Sequence, residues 1–391
     1  MTGSGPIGSR LGFETAQSLL LPLAALAAIA AVLAMPMSGD MTIYLMPWME
    51  NVRGGGLSSL SGEFSNYSPP YIYLMYLASW LVPLTGTVAA IKLISLPFVL
   101  LLSLGLHDLV LRASGDRARA LAAACAAWVL PTLFANAFIW GQADVIYTAF
   151  LVWFLAFAAA GRPAAAALAF GAAFAFKAQA MILAPVLLYL LLSRTLRLRH
   201  LLLIPCAYGV LMIPAVLAGR PWLDCLTVYF GQFERFHSLR MTAPNPWQVV
   251  DRFFSYEAGV AVGLAAGAAA GAGLAITSAR LRPSPRILLL VATCCAAFMP
   301  YVLPKMHERF FFPADVLALA LAFALPRYWS AAVLLQIGSL LAYLHYLAAV
   351  IRASQWALLP VTMAVGVLMF ALWEAHRQRR HTPSAAAPDP D

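Results

Sequence analysis

The run Leu19-Leu-Leu-Pro-Leu-Ala-Ala-Leu-Ala-Ala-Ile-Ala-Ala-Val-Leu-Ala34 holds neither a charged nor a polar side chain. Apolar stretches of roughly 20 residues recur from here to Trp373, and a helix needs about that many to cross the hydrocarbon of a bilayer. Lipid gives the backbone no hydrogen-bond partner, so only helices or closed barrels cross it. These continuous runs lack the alternation of barrel strands. The fold class is therefore all-α, a polytopic transmembrane helix bundle. Composition agrees: the 391 residues are 62% hydrophobic and only 10% charged, with mean hydropathy +0.81. A water-soluble chain carries about a quarter charged residues. Small residues near Ala34 would also suit a cleaved leader, but the run is longer than a typical leader core and reads as an uncleaved first span.

The net charge of +9 does not point to nucleic acid, because the basic residues are scattered between hydrophobic runs. They mark cytoplasmic loops instead. Three short connectors are strongly basic: Arg112 to Arg119, Arg194 to His200 and Arg280 to Arg286. Alternation then sends five segments to the outer face: Ser38 to Pro69, Trp140 to Asp144, the turn at Lys177, Gly219 to Glu257, and Pro304 to Phe310. Those are the segments richest in unusual polar residues. The five cysteines, Cys125, Cys206, Cys225, Cys294 and Cys295, have neither disulfide nor metal-ligand spacing and read as small packing residues.

Between Pro69 and Arg112 the number of crossings must be odd, yet two hydrophobic pieces occur. Tyr71 to Val82 is short, aromatic and bounded by prolines, so it is expected to lie at the outer interface. Only Val88 to Leu111 then crosses, which puts Lys92 near the outer surface. The count is about twelve spans with both termini cytoplasmic, and short amphipathic helices along the outer face within Ser38 to Pro69 and Gly219 to Glu257. Residues 1–375 read as one transmembrane domain, and 376–391 as a cytoplasmic basic tail beside anionic lipid. Thr382 to Asp391, rich in Pro and Ala, is expected to be disordered, and Met1 to Arg10 to precede the membrane.

Four constellations carry possible chemistry. Ser38-Gly39-Asp40-Met41 places a carboxylate where the first span emerges, followed by Asn66-Tyr67-Ser68-Pro69-Pro70. A lone Asp there could be merely interfacial; beside an aromatic pocket it is a reasonable general base. In Asn136-Ala-Phe-Ile-Trp140-Gly141-Gln142-Ala143-Asp144, a helix-ending glycine and a helix-starting acid explain Gly141 and Asp144 but not Trp140 and Gln142. In Phe176-Lys177-Ala178-Gln179, a lysine with no neighbouring acid either snorkels or binds phosphate. Lys305-Met306-His307-Glu308-Arg309-Phe310 packs three basic residues and one acid into five positions. A solvated turn could hold them, but Lys and Arg are natural partners of phosphate oxygens. The second histidine of a zinc H-E-x-x-H helix is missing, so no metal is expected from this motif.

In this order the motifs resemble the GT-C glycosyltransferases, and most closely a bacterial branch similar to GPI-anchor mannosyltransferases. The likeness runs from about Ser38 to Leu325, and the Lys305 to Phe310 run is its most specific part. It implies an inverting transfer of a hexose, mannose or glucose, from a polyprenyl-phosphate carrier to a lipid or glycan acceptor on the outer face of a bacterial inner membrane, without a cofactor. Asp40 would be the base. Lys177, Lys305, His307, Arg309 and Lys92 would hold the donor phosphate. Asn66, Tyr67, Trp140, Gln142, Asp144, Gln179 and Glu308 would shape the sugar and acceptor pocket, with Glu308 orienting His307 or Arg309. Met41 after Asp40 matches the family context only loosely. Two rival functions use the same charges: a flippase or transporter of lipid-linked sugars, which repeated halves would favour, and an O-antigen ligase or polymerase, for which Glu234, Arg235, His237 and Arg240 form a modest outer loop.

Overall fold

Physical constraints on the chain appear directly in the computed structural model, which describes residues 23–34, 37–234, 237–281, 283–350 and 352–381. The terminal segments Met1 to Arg10 and Thr382 to Asp391, the first residues of the Leu19 to Ala34 run, and Arg235 lie outside the described residues. Among the described residues all regular structure is helical, and seven helices are long and apolar enough to cross a membrane. We number the helices that matter here α1 Leu23–Ala34, α2 Met46–Gly55, α3 Pro69–Ser79, α4 Thr87–Ser114, α5 Arg117–Trp140, α6 Asp144–Ala159, α7 Pro163–Phe176 and α8 Ala178–Leu192. Then come α9 Leu198–Leu217, α10 Trp222–Glu234, α11 Tyr256–Ser278, α12 Pro285–Val302, α13 Phe312–Ala324, α14 Pro326–Leu347 and α15 Ala353–Arg380.

Helix α6 is the axis. Its residues are buried almost all round, and it packs on α4 and α7. Such an all-apolar helix belongs in the centre of a bundle. It has 16 residues, which at 1.5 Å per residue is about 24 Å. Helix α3, entered through Pro69 and Pro70, has 11 residues, about half the length needed to span a bilayer. Its aromatic side chains pack inward, and the chain turns at Gly86 into α4.

The basic connectors share one end of the bundle. Arg286 donates from Nε to the Ala113 carbonyl at 2.6 Å, joining two of them. Arg327 on the neighbouring turn pairs with Glu374 near the end of α15 at 2.5 Å. The polar motifs gather at the opposite end.

Helix α11 shows a feature that the charge pattern does not reveal. Gly259, Gly263, Gly267 and Gly271 form a buried stripe along it. A methyl group at Gly263 would come within 2.5 Å of Pro304, and one at Gly267 within 2.4 Å of Leu303. Bare glycines let the loop before Lys305 lie directly on the helix, as small residues do at membrane helix contacts.

Candidate active site

Two unusual helical turns set up the site. The segment Met41–Leu45 after Asp40 and the segment Ala135–Trp140 ending α5 are both wound as π-helix. Such turns are rare and concentrate at functional sites. Gly141 then reverses the chain at φ +79°, and a methyl group there would meet Met41 Cε at 2.6 Å. The tight turn presents Trp140 and Gln142 together to Asp40.

The Asp40 carboxylate is held from one side. Its Oδ2 accepts from Trp140 Nε1 at 2.9 Å and Gln142 Nε2 at 2.8 Å, and Arg309 Nη1 stands 3.5 Å away. Its side chain is 26% exposed. Ser38 Oγ donates to the Trp140 carbonyl at 2.9 Å and ties the start of the motif to the same turn. Arg309 also lies over the Trp140 ring, 5.7 Å from its centroid. Three of the sequence motifs thus meet at one carboxylate.

Beside this group is a cavity of about 320 Å³ lined by Asn66, Tyr67, Lys177, Gln179, Lys305, His307 and Arg309, with Tyr229, Gln232 and the apolar Met181, Ile182 and Leu303. Three of these side chains carry buried polar atoms without a hydrogen-bond partner in the protein: Asn66 Oδ1, Gln179 Oε1 and Arg309 Nε. Buried polar atoms are almost always satisfied. Two unmatched acceptors and a cationic donor lining one cavity suit a ligand rich in both hydroxyl groups and negative charge.

Several side chains sit differently from the sequence reading. Lys177, which has no acid beside it in sequence, donates to Asp144 Oδ1 at 2.5 Å across 33 positions. Asp144 is fully buried and also accepts from Asn136 Nδ2 at 2.9 Å. It therefore anchors Lys177 rather than facing the cavity, because a buried charge needs a partner. Lys92 lies at the end of the bundle that holds the motifs, its stem beneath Gly141, but it is fully buried and off the cavity wall. Trp140 is likewise buried and serves Asp40 rather than the cavity. Glu308 takes a hydrogen bond from the Thr242 hydroxyl, with His307 Nδ1 at 4.0 Å.

Charge states follow from these neighbours. Burial pushes the His307 imidazole down to about 3, helped by Arg309 and Lys177 and opposed by Asp144. His307 is therefore a neutral hydrogen-bonding group at ordinary pH and not a third cation. Burial raises the Glu308 carboxyl against the pull of Arg309 and Thr242. Burial also works against the Arg309 charge, but Tyr67, Asp144, Glu308 and Asp40 together outweigh it, and the guanidinium is held firmly charged. Lys305 has a left-handed backbone, φ 60°, and its Nζ donates to the Tyr256 hydroxyl at 2.5 Å. Tyr256, Thr242 and Gln232 were not among the candidates read from sequence; they lie between Gly219 and Glu257 and carry no motif. Among the described residues no three His, Cys, Asp or Glu side chains cluster as a metal site would require.

Neither a protein-family profile nor any curated protein sequence matches the chain. Solved structures do. The crystal structure of ArnT from Cupriavidus metallidurans in the apo state aligns with TM-score 0.53 and 16% identity over 93% of this chain and 76% of that one. The chain shares the fold of ArnT. The same ArnT bound to undecaprenyl phosphate aligns with TM-score 0.50 and 16% identity, over 95% of this chain and 77% of ArnT. The ArnT likeness agrees with the polytopic helical architecture expected from the apolar runs. At this identity the likeness to ArnT concerns the fold alone.

Proposed function

We propose that this chain is an inverting GT-C glycosyltransferase of the inner membrane, acting at its extracytoplasmic face on a polyprenyl-phosphate-linked sugar. The observation that carries the reading is the meeting of Asp40 and Arg309, 3.5 Å apart, beside a cavity whose wall also includes Lys177 and Lys305. An acid that accepts a proton and cations that receive a phosphate are the two requirements of the reaction. The undecaprenyl phosphate bound to ArnT in the same fold adds support for a polyprenyl carrier.

In the proposed step, the acceptor hydroxyl gives its proton to Asp40 Oδ1, since Trp140, Gln142 and Arg309 all converge on Oδ2. The acceptor oxygen attacks the anomeric carbon from the face opposite the carrier. The bond from that carbon to the phosphate oxygen breaks, and the lipid phosphate leaves with the electron pair. Arg309, Lys177 and Lys305 stabilise the charge that develops there, and His307 adds a neutral hydrogen bond. Such preset donors in a dry site give the largest single contribution to many enzymes. The sugar, a hexose such as mannose or glucose in this proposal, lies against Asn66 and Gln179, whose unmatched oxygens accept from its hydroxyls.

The test is to incubate purified protein with a panel of polyprenyl-phosphate sugars and detect released lipid phosphate. Asp40→Asn should abolish turnover and leave donor binding intact, whereas Arg309→Ala should weaken both. Normal turnover in Asp40→Asn, or normal donor binding in Arg309→Ala, would overturn these assignments.

A further inference from the structure

Tyr67 stands between the cavity and the carboxylate. Its hydroxyl is 3.0 Å from Gln142 Oε1, and Gln142 Nε2 is 2.8 Å from Asp40 Oδ2. Chemistry fixes the direction of this chain. An ionised carboxylate only accepts, so Gln142 must turn its NH2 toward Asp40. The amide oxygen then faces Tyr67, which must donate. The Gln142 backbone is pinned independently, its N–H donating to the Asn136 carbonyl at 2.9 Å. The amide therefore has one orientation, set at one end by Tyr67 and used at the other by Asp40.

The same tyrosine belongs to the cavity wall, and Lys177 Nζ lies 5.3 Å from its ring centroid. The ring is wedged between Trp48, at 5.2 Å, and Tyr71, at 4.9 Å. We infer that Tyr67 is a positioning residue: its hydroxyl, acting through Gln142, aims the Asp40 carboxylate and ties the wall of the donor cavity to the base. This rests on the reading of Asp40 as the base, and it goes beyond a sugar-contact role for Tyr67.

A purely packing role is the alternative, and Tyr67→Phe separates the two because it keeps the ring and removes only the hydroxyl. At saturating donor and acceptor, kcat of Tyr67→Phe should fall about tenfold, the rate equivalent of one hydrogen bond, with donor KM within about twofold. Gln142→Leu should lower kcat by at least as much. Tyr67→Phe combined with Gln142→Leu should be no slower than Gln142→Leu alone, since both cut one chain. An unchanged kcat in Tyr67→Phe, a raised donor KM with kcat intact, or fully additive losses in the double variant would each overturn the relay while leaving the glycosyltransferase reading in place. A wild-type protein that neither binds nor turns over any polyprenyl-phosphate sugar would remove the reading and the relay together.

Discussion

Single polar residues inside an apolar chain stand out one by one, and that is why Asp40, Gln142, Lys177 and Arg309 are legible in the sequence. Their partners are not, because pairing across 33 or 102 positions leaves no local trace. Lys177 shows the difference: read alone it is a bare cation, and in the fold it is half of a buried pair. Asp144→Asn should strand that lysine and destabilise the protein by about 3 kcal/mol, measured as a lower melting temperature in detergent. Lys177→Met combined with Asp144→Leu should recover much of that loss without restoring turnover. His307 also behaves unlike its sequence context. Its folded value, about 3, lies below the ordinary 6.5, so the unfolded chain binds the proton first. Its contribution is whole above 6.5 and is lost as pH falls toward 3. His307→Gln should remove that part of the acid-side loss, seen by comparing melting temperatures of the two proteins across this window. Glu308, with its carboxyl raised by burial, opposes the trend.

Among elements, the long apolar runs were readable because lipid leaves the backbone so few choices. The glycine stripe of α11 was also present in the sequence as a four-residue spacing. Its meaning depends on a partner that is a loop some forty positions away, roughly Leu303 and Pro304, and no periodicity announces a loop. Gly263→Ala should therefore push Pro304 off the helix, costing about 1–3 kcal/mol as overpacked contacts do, and should weaken donor binding through Lys305. Gly273, with nothing within 4 Å of its would-be methyl group, is the control on the same helix. Gly273→Ala should leave melting temperature and donor affinity unchanged. The π-wound turns at Asp40 and Trp140 were not legible, since their backbone register reflects the packing of α5 against the first loop and not local composition.

At the scale of the whole molecule, charge in the loops separated the two ends of the bundle before any coordinates. The structure gathers the polar motifs at one end and joins the basic connectors at the other. Which compartment each end faces is a prediction from the charge rule. Arg240 and Arg119 are each 48% exposed, so they differ in side and not in accessibility. In a background with the native cysteines replaced, Arg240→Cys should react with a membrane-impermeant thiol reagent on intact cells, and Arg119→Cys only after permeabilisation. Labelling of both, or of position 119 alone, would reverse the assignment.

The shortness of the central helix α6 sets a depth. At about 24 Å it falls some 6 Å short of a hydrocarbon layer of about 30 Å, so its Asp144 end is sunken when its other end meets the opposite boundary. In the proposed reaction, a carrier reaching Lys177 would draw its headgroup below the plane of its lipid neighbours and shed bulk solvent on the way. Stray hydrolysis of an activated sugar is then disfavoured by geography, before any side chain has chosen between water and the intended nucleophile.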